Sequence, residues 1–290
     1  MYYASVADVI ALSRTPGANA STTITASVKA TLLGYIRMIS RRLDLDFGAR
    51  RGLFTPYIET RKKALSSMQV NSLLNTFAFD DPLLELSALS IGGSSMTIGT
   101  DVVLYPDPDT PPFHALRLDT GLTWYGYPNS GDPVFVTLTG TWGLHRDYAN
   151  AWMKVDDLAA DITASQLTLT VADSDGENPY GESPRLSAGH LIRIGSEFLQ
   201  VYKVDDGTNT LTTQRGMYGS TAAAHTSGDD VYVWRVEEPV KHVIARMAAF
   251  IWSRQGTYST VEVQGMSEIR YPPDLLMEFR AVEQDYANGY

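Results

Sequence analysis

The chain of 290 residues contains no cysteine. That absence excludes disulfide bonds, thiolate metal sites, iron–sulfur clusters and cysteine nucleophiles. The chain also has no apolar run near the roughly 20 residues that a membrane-spanning helix requires, and its first residues show no basic segment leading into an apolar one. We therefore expect a soluble protein that has no secretion signal and is stabilised by packing or assembly.

Charge is unevenly distributed along the chain, whose formal net charge is −10. Residues 1–63 contain ten Lys or Arg against four Asp or Glu, whereas the remaining residues contain 13 against 29. Affinity for nucleic acid grows with the number of phosphates that a protein neutralises, so the acidic remainder argues against general nucleic-acid binding. The basic N-terminal region requires a separate explanation.

Apolar residues at helical spacing predict two amphipathic helices, one near each end of the chain. The first covers residues 25–43, and the second begins at Glu237 and Glu238, which precede a proline that favours a helix start. The apolar stripes consist of Val28, Leu32, Tyr35, Ile36, Ile39 and Leu43 in the first helix, and of Val240, Val243, Ile244, Met247, Ala248, Ile251 and Trp252 in the second. An apolar stripe needs a partner surface, so we expect the two helices to pack together and to join the chain ends.

Between the helices, short alternating runs are broken by Gly, Pro, Asn and Asp, a pattern typical of antiparallel β structure. We expect a first β-rich unit over residues 53–149 and a second over residues 150–236. Residues 1–52 and 237–256 would form a helical core, and residues 257–290 a C-terminal arm. The predicted fold class is α+β: a helical base from the N- and C-terminal segments, with two inserted antiparallel β-rich units and a C-terminal arm.

The arm has an acidic composition and contains a short apolar pattern. Asp274 follows two prolines and is placed to cap a short helix that bears Leu275, Leu276 and Phe279. An apolar terminal segment beyond a domain's own core is more useful to a neighbouring protein. We therefore interpret residues 257–290, with Tyr271 at the start of the predicted helix, as a docking arm.

Motifs of catalysis are missing from the sequence. It has no glycine-rich phosphate loop, no GxSxG elbow and no HExxH pair. The histidines, which we assign to turns or interfaces, are His114, His145, His190, His225 and His242. Adjacent acidic pairs are interpreted as solvated turn and cap residues, because glycosidase carboxylates must face each other across a cleft. We expect no enzyme activity, no catalytic residue and no cofactor.

Two further segments permit more than one interpretation. Residues 173–178 begin like a calcium loop, but Asn178 stands where the pattern requires glycine, so a plain acidic turn competes with weak ion binding and we expect no metal. Trp124, Tyr125 and Tyr127 lie beside a turn. Aromatic faces stack on sugars or on proteins, so this cluster is either a carbohydrate platform, the edge of a β core or a subunit contact.

Three stretches of the chain resemble sequences from structural proteins of tailed bacteriophages. They are Val136–Tyr148 with the following Ala151 and Trp152, Gly189–Glu197, and Arg215–Gly228. The order of N-terminal helices, β insertion, amphipathic helix and a Pro-Pro-Asp arm is similar to that of head-to-tail adaptor (connector) proteins of the phage neck. The helical part and the arm cover about a third of the chain, and the β motifs also occur in other virion proteins.

The resemblance implies a non-enzymatic virion protein that is assembled in the host cytoplasm. Adaptors of this family form a ring, typically of twelve subunits, beneath the portal protein, and the ring continues the DNA channel toward a downstream neck or tail protein. The partners would be other copies, the portal and that downstream protein. Packaged DNA would pass without specific binding, and no membrane would be involved.

The predicted partner-binding residues belong to the basic region and to the arm: Arg37, Arg41, Arg42, Arg50, Arg51, Tyr271, Leu275, Leu276 and Phe279. Independently of the resemblance, we predict a structural ion pair between Glu197 and Arg215, because they lie on a hairpin and at the start of a glycine-rich loop. The alternative function is that of a phage tail receptor- or carbohydrate-binding protein that uses Trp124, Tyr125 and Tyr127.

Overall fold

The structure is a computed structural model of the chain. It describes residues 1–13, 24–48, 52–65, 70–71, 73–119, 124, 134–253 and 272–287. The chain divides into two compact units. One, the terminal unit, consists of Met1–Gly52 and Ala151–Tyr290, and the other, the insert unit, is Leu53–Asn150.

The expected fold class of a helical base with attached β units is wrong. The structure is mostly β, with two antiparallel sheets, four helices and 27% helical residues among those described. The helical stripes suggested a base because periodicity gives no information on what else a helix contacts. The terminal unit instead contains one of the sheets together with the four α-helices of the described residues. The amides of Val6 and Ala7 donate to the Ala188 carbonyl at 2.9 Å and to Ser187 Oγ at 3.1 Å.

The insert unit contains a seven-stranded antiparallel sheet. Its strands are β1 (Tyr57–Ala64), β2 (Val70–Asn71), β3 (Thr76–Ile91), β4 (Ser94–Ser95), β5 (Val102–Tyr105), β6 (Phe113–Leu118) and β7 (Phe135–Trp142). The order is β1-β7-β3-β6-β5, and β2 and β4 pair with β3. In β7 every second residue is buried. Gly140 lies so close to the Glu85 carbonyl that a Cβ would clash with it, which explains a glycine inside a strand.

The terminal unit contains a six-stranded antiparallel sheet. Its strands are β8 (Trp152–Asp157), β9 (Thr168–Thr170), β10 (Leu191–Ile194), β11 (Glu197–Asp205), β12 (Thr210–Gln214) and β13 (Asp230–Trp234), in the order β8-β13-β10-β11-β12-β9. Buried aliphatic residues from all six strands form one core, which includes Val155, Leu169, Ile192, Leu199, Leu211 and Val231. The sheet therefore has an apolar core of its own within the terminal unit, which also contains the helices.

The helices are α1 (Val6–Ser13), α2 (Ala26–Asp46), α3 (Glu238–Ser253) and α4 (Pro273–Ala287). Ser5 and Asp8 form a capping box at the start of α1: Ser5 N donates to Asp8 Oδ2 at 2.6 Å, and Asp8 N donates to Ser5 Oγ at 3.2 Å. Helix α2 packs against α3, as the two apolar stripes predict, and α3 also contacts α1 and α4. No helix in the described ranges is long and apolar enough to span a bilayer.

Candidate partner-binding site

The outward side of α2 is basic and partly apolar. Leu32, Ile36 and Leu43 are fully buried, so the residues on the opposite side of the helix lie in solvent. Arg37, Met38, Arg41, Arg42 and Leu45 are exposed on this side, where Gly34 and Asp46 are exposed as well. We call the first five of these residues the α2 face. It places three of the predicted partner-binding arginines on one surface.

Two large apolar side chains lie among the arginines of the α2 face. Met38 is 48% exposed and Leu45 is 56% exposed. Arg42 donates from Nε to Asp46 Oδ2 at 2.8 Å, one turn further along the helix, while its side chain remains 71% exposed. Arginine and methionine are enriched at protein interfaces relative to the remaining surface. The α2 face therefore contains two residue types that are enriched at protein interfaces.

A groove of about 660 Å³ lies between α2, α3 and α4. Its apolar wall consists of Met38, Ile39, Phe47, Met247, Leu276 and Phe279. Its charged wall consists of Arg42, Asp46, Arg280 and Glu283. The groove therefore brings together Arg42, Leu276 and Phe279, which the sequence analysis assigned to two separate segments.

The charged wall of the groove contains two carboxyl groups that lie close together. Burial raises the pKa of Glu283, and the neighbouring carboxyl of Asp46 raises it further, while Arg42 and Arg280 oppose the rise. Glu283 therefore holds its proton more readily than an isolated carboxyl group does, which lowers the negative charge of this wall.

Helix α4, which lies in the segment interpreted as a docking arm, is a part of the terminal unit. Leu275 and Phe279 are buried together with Val282 and Tyr286, because spacings of three and four residues place them on one side of the helix. Tyr286 donates its hydroxyl to Glu237 Oε2 at 3.0 Å. Of the arm residues predicted to bind a partner, Leu276 is exposed, whereas Leu275 and Phe279 are buried. Arg50, Arg51 and Tyr271 lie outside the described residues.

The predicted pair of Glu197 and Arg215 forms a bidentate ion pair. Arg215 Nε and Nη2 donate to Glu197 Oε1 and Oε2, each at 2.7 Å. The carboxylate also accepts the backbone amides of Gly216 and Ala223 at 3.0 and 3.1 Å, and His225 Nε2 lies 2.8 Å from Oε2. The loop that starts at Arg215 is therefore folded around a single carboxylate.

The environment of Glu197 favours its ionised form. Burial alone raises the pKa of this carboxyl, but the hydrogen bonds from Arg215, Ala223, His225 and Gly216 outweigh burial and hold the pKa below its ordinary value. His225 was not predicted as a member of this network. No local pattern identifies it, because His225 and Glu197 meet only when the loop returns over the sheet.

Trp124 is a core residue, so its ring is not accessible to a sugar. Its side chain is 4% exposed, its ring lies 5.5 Å from that of Phe77, and Nε1 donates to the Asn75 carbonyl at 3.0 Å. Tyr125 and Tyr127 lie outside the described residues. Trp124 therefore has no free face for stacking on a carbohydrate.

In the acidic turn at residues 173–178, the first carboxylate, that of Asp173, binds groups of the protein itself. Asp173 Oδ1 accepts the amide of Gly176 at 3.1 Å, and Asp173 Oδ2 pairs with Arg185 Nη2 at 2.9 Å. Within the described part of the chain, no group of three or more His, Asp or Glu residues could hold a metal ion.

Comparisons with known proteins give no relative for this chain. No family model, no curated protein and no solved structure matches it.

Proposed function

We propose that this chain is a structural virion protein of a tailed-phage neck, which forms a ring that joins the portal to the tail and continues the DNA channel. The resemblance of three sequence stretches to phage structural proteins supports the proposal. The observation that carries it furthest is the α2 face, an exposed surface of arginine, methionine and leucine on a chain whose net charge is −10.

The α2 face and the neighbouring groove would bind protein partners, either further copies or the portal. Arginines on a rigid helix can pair with carboxylates on an acidic partner in the fixed geometry of the guanidinium group. The exposed Met38 and Leu45 would supply the apolar contact that such an interface needs at its centre. Each copy is acidic outside its basic region, so another copy can supply the carboxylates that pair with the arginines of the α2 face.

The acidic composition also suits the wall of a DNA channel. A negatively charged surface repels phosphates, whereas a basic surface would hold the DNA in place. Packaged DNA would therefore pass through the ring without specific binding. The protein would assemble in the host cytoplasm and remain in the neck of the virion.

Charge reversal on the α2 face tests this proposal. In co-purification with the portal protein of the same phage, we expect the double variant Arg41→Glu/Arg42→Glu to lose at least ten-fold in recovered complex relative to the wild type. The matched control is Lys203→Glu, which reverses an exposed cation on β11 and should leave recovery unchanged. Equal recovery of wild type and double variant, with both folded by circular dichroism, would contradict the proposal.

A further inference from the structure

The turn between β2 and β3 exposes two leucines at its tip. Leu73 is 95% exposed and Leu74 is 50% exposed. The two leucines are held by side-chain hydrogen bonds, because Asn71 Oδ1 accepts the amides of Leu73 and Leu74 at 3.1 and 3.2 Å. We call Leu73 and Leu74 the leucine tip.

The base of the turn is fixed to the insert unit. Asn75 has a left-handed backbone with φ 54°, its Nδ2 donates to the Leu118 carbonyl at 3.2 Å, and its own carbonyl accepts Trp124 Nε1 at 3.0 Å. A tip anchored in this way loses little conformational freedom when it binds. Exposed leucines are common singly, but two adjacent ones on an anchored turn form a preorganised apolar contact.

The groove between α2, α3 and α4 has the complementary properties. Its volume of about 660 Å³ exceeds that of two leucine side chains, and its apolar wall, which includes Met38, Leu276 and Phe279, opens to solvent. Leucine side chains inserted there would leave water and contact other apolar side chains, which is favourable. The tip and the groove are both present on every copy of the chain.

Charge supports a second copy as the occupant of the groove. The insert unit, which bears the tip, has five basic and ten acidic residues and thus a net charge of −5. The α2 face beside the groove presents Arg37, Arg41 and Arg42. An acidic unit that approaches a basic face is attracted to it and correctly oriented by it.

We propose that the leucine tip of one copy inserts into the groove of the next copy. Because tip and groove are different surfaces, the contact is heterologous, and its repetition produces either a closed ring or an open filament. Closure into a ring rests on the function proposed above, whereas the contact itself is a property of the chain alone. In this arrangement the neighbouring copy occupies the groove, and the rest of the α2 face remains available for the portal.

Disulfide trapping tests the contact directly, because the chain has no cysteine of its own. One variant is Leu73→Cys, on the tip, and the other is Met38→Cys, in the groove. A disulfide forms without backbone movement only when the two Cα atoms lie within about 7 Å. Mixing the two variants under mild oxidation should therefore produce a covalent dimer, at least ten-fold more than either variant produces alone.

A matched control and a double variant make the result specific. Leu167→Cys places a thiol on another exposed leucine, outside the tip and the groove, and mixing it with Met38→Cys should give only background dimer. The double variant Leu73→Cys/Met38→Cys should give a ladder of covalent multimers. A dimer yield equal to that of the Leu167→Cys control would overturn the proposal. A disulfide formed only within one chain, or a groove filled by another segment, would overturn it as well.

The same variants on portal complexes separate this proposal from the proposed function. A ring on the portal without the disulfide between positions 73 and 38 overturns the contact and leaves the function standing. The disulfide without any portal complex supports the contact and contradicts the function. The variant Leu73→Asp provides a second test, because it replaces an apolar residue of the tip by a charged one. It should weaken self-association, measured by sedimentation, at least ten-fold, whereas Leu167→Asp should leave self-association unchanged.

Discussion

At the scale of single residues, Glu197 shows how one buried charge organises a loop. Its side chain is completely buried, and that of Arg215 is 4% exposed. Isolated buried charges are costly, so such a pair persists only when further hydrogen bonds satisfy it. Arg215 provides them by donating also to the carbonyls of Thr163, Gln166 and Ala223.

Replacing Glu197 by Gln should destabilise the terminal unit by about 3 kcal/mol, the lower end of the range for removing one partner of a buried pair. The lower end applies because Arg215 keeps its carbonyl acceptors. Urea unfolding followed by circular dichroism measures the loss. The control Asp205→Asn, an exposed acid on the same strand, should change the free energy of unfolding by less than about 0.5 kcal/mol, and an equally small change in Glu197→Gln would show that the pair contributes nothing.

The pH dependence of stability follows from the lowered pKa of Glu197. Since the folded pKa lies below the ordinary value of 4.5, the folded state holds this proton less tightly than the unfolded state does. The stabilisation is therefore complete well above pH 4.5 and is lost as the pH falls through the folded pKa. The stability difference between the wild type and Glu197→Gln should shrink below pH 4.5. A difference that is constant down to the folded pKa would contradict the assigned cause.

At the scale of elements, the packing of α2 on α3 connects residues near the two ends of the chain. Ile36 lies fully buried in the apolar stripe of α2, and its neighbour Arg37 is exposed. Ile36→Ala should cost about 2–5 kcal/mol, because it removes buried methyl groups and leaves a cavity. Arg37→Ala should cost less than about 0.5 kcal/mol. Equal small effects on urea unfolding would mean that the stripe does not hold these helices together.

Helix α4 should behave as a packed element rather than as a free arm. Phe279→Ala removes a buried ring and should cost about 3–5 kcal/mol. The control Met277→Ala changes a side chain that is 70% exposed. Hydrogen exchange measured by mass spectrometry should show faster exchange in α4 for Phe279→Ala only. Unprotected amides of α4 already in the wild type would contradict the packing.

Local periodicity was sufficient to predict several elements. The stripe from Leu32 to Leu43 identified a helix, because helical spacing is a local property. The short alternating runs identified a β-rich unit over residues 53–149, which includes β7. The Glu197–Arg215 pair was predictable because a strand and a glycine-rich turn placed the two residues near each other.

Long-range packing was not predictable in the same way. The pairing of Tyr57 with Trp142 in β1 and β7 and the docking of Val6 on Ala188 join residues far apart in sequence. No spacing rule indicates such contacts. Nor does the pattern around Trp124 distinguish a buried ring from an exposed platform, since both occur beside turns. The groove was missed because its walls come from three separate helices.

At the scale of the whole molecule, assembly through the α2 face should depend on salt. Exposed charges are screened over about 8 Å at 0.15 M ionic strength and about 3 Å at 1 M. The fraction of wild-type protein in complexes, measured by mass photometry, should therefore fall between these two conditions. The variant Arg41→Glu/Arg42→Glu should assemble poorly in both. If assembly of the wild type does not depend on salt, the charges of the arginines do not drive it.

The central claim is that copies of this chain form a ring on a portal. Negative-stain electron microscopy of the wild-type protein mixed with the portal protein of the same phage tests it most directly. The account predicts end views of a closed ring with a central opening aligned with the portal channel. Portal particles without added density, or single copies attached to them without a ring, would contradict it.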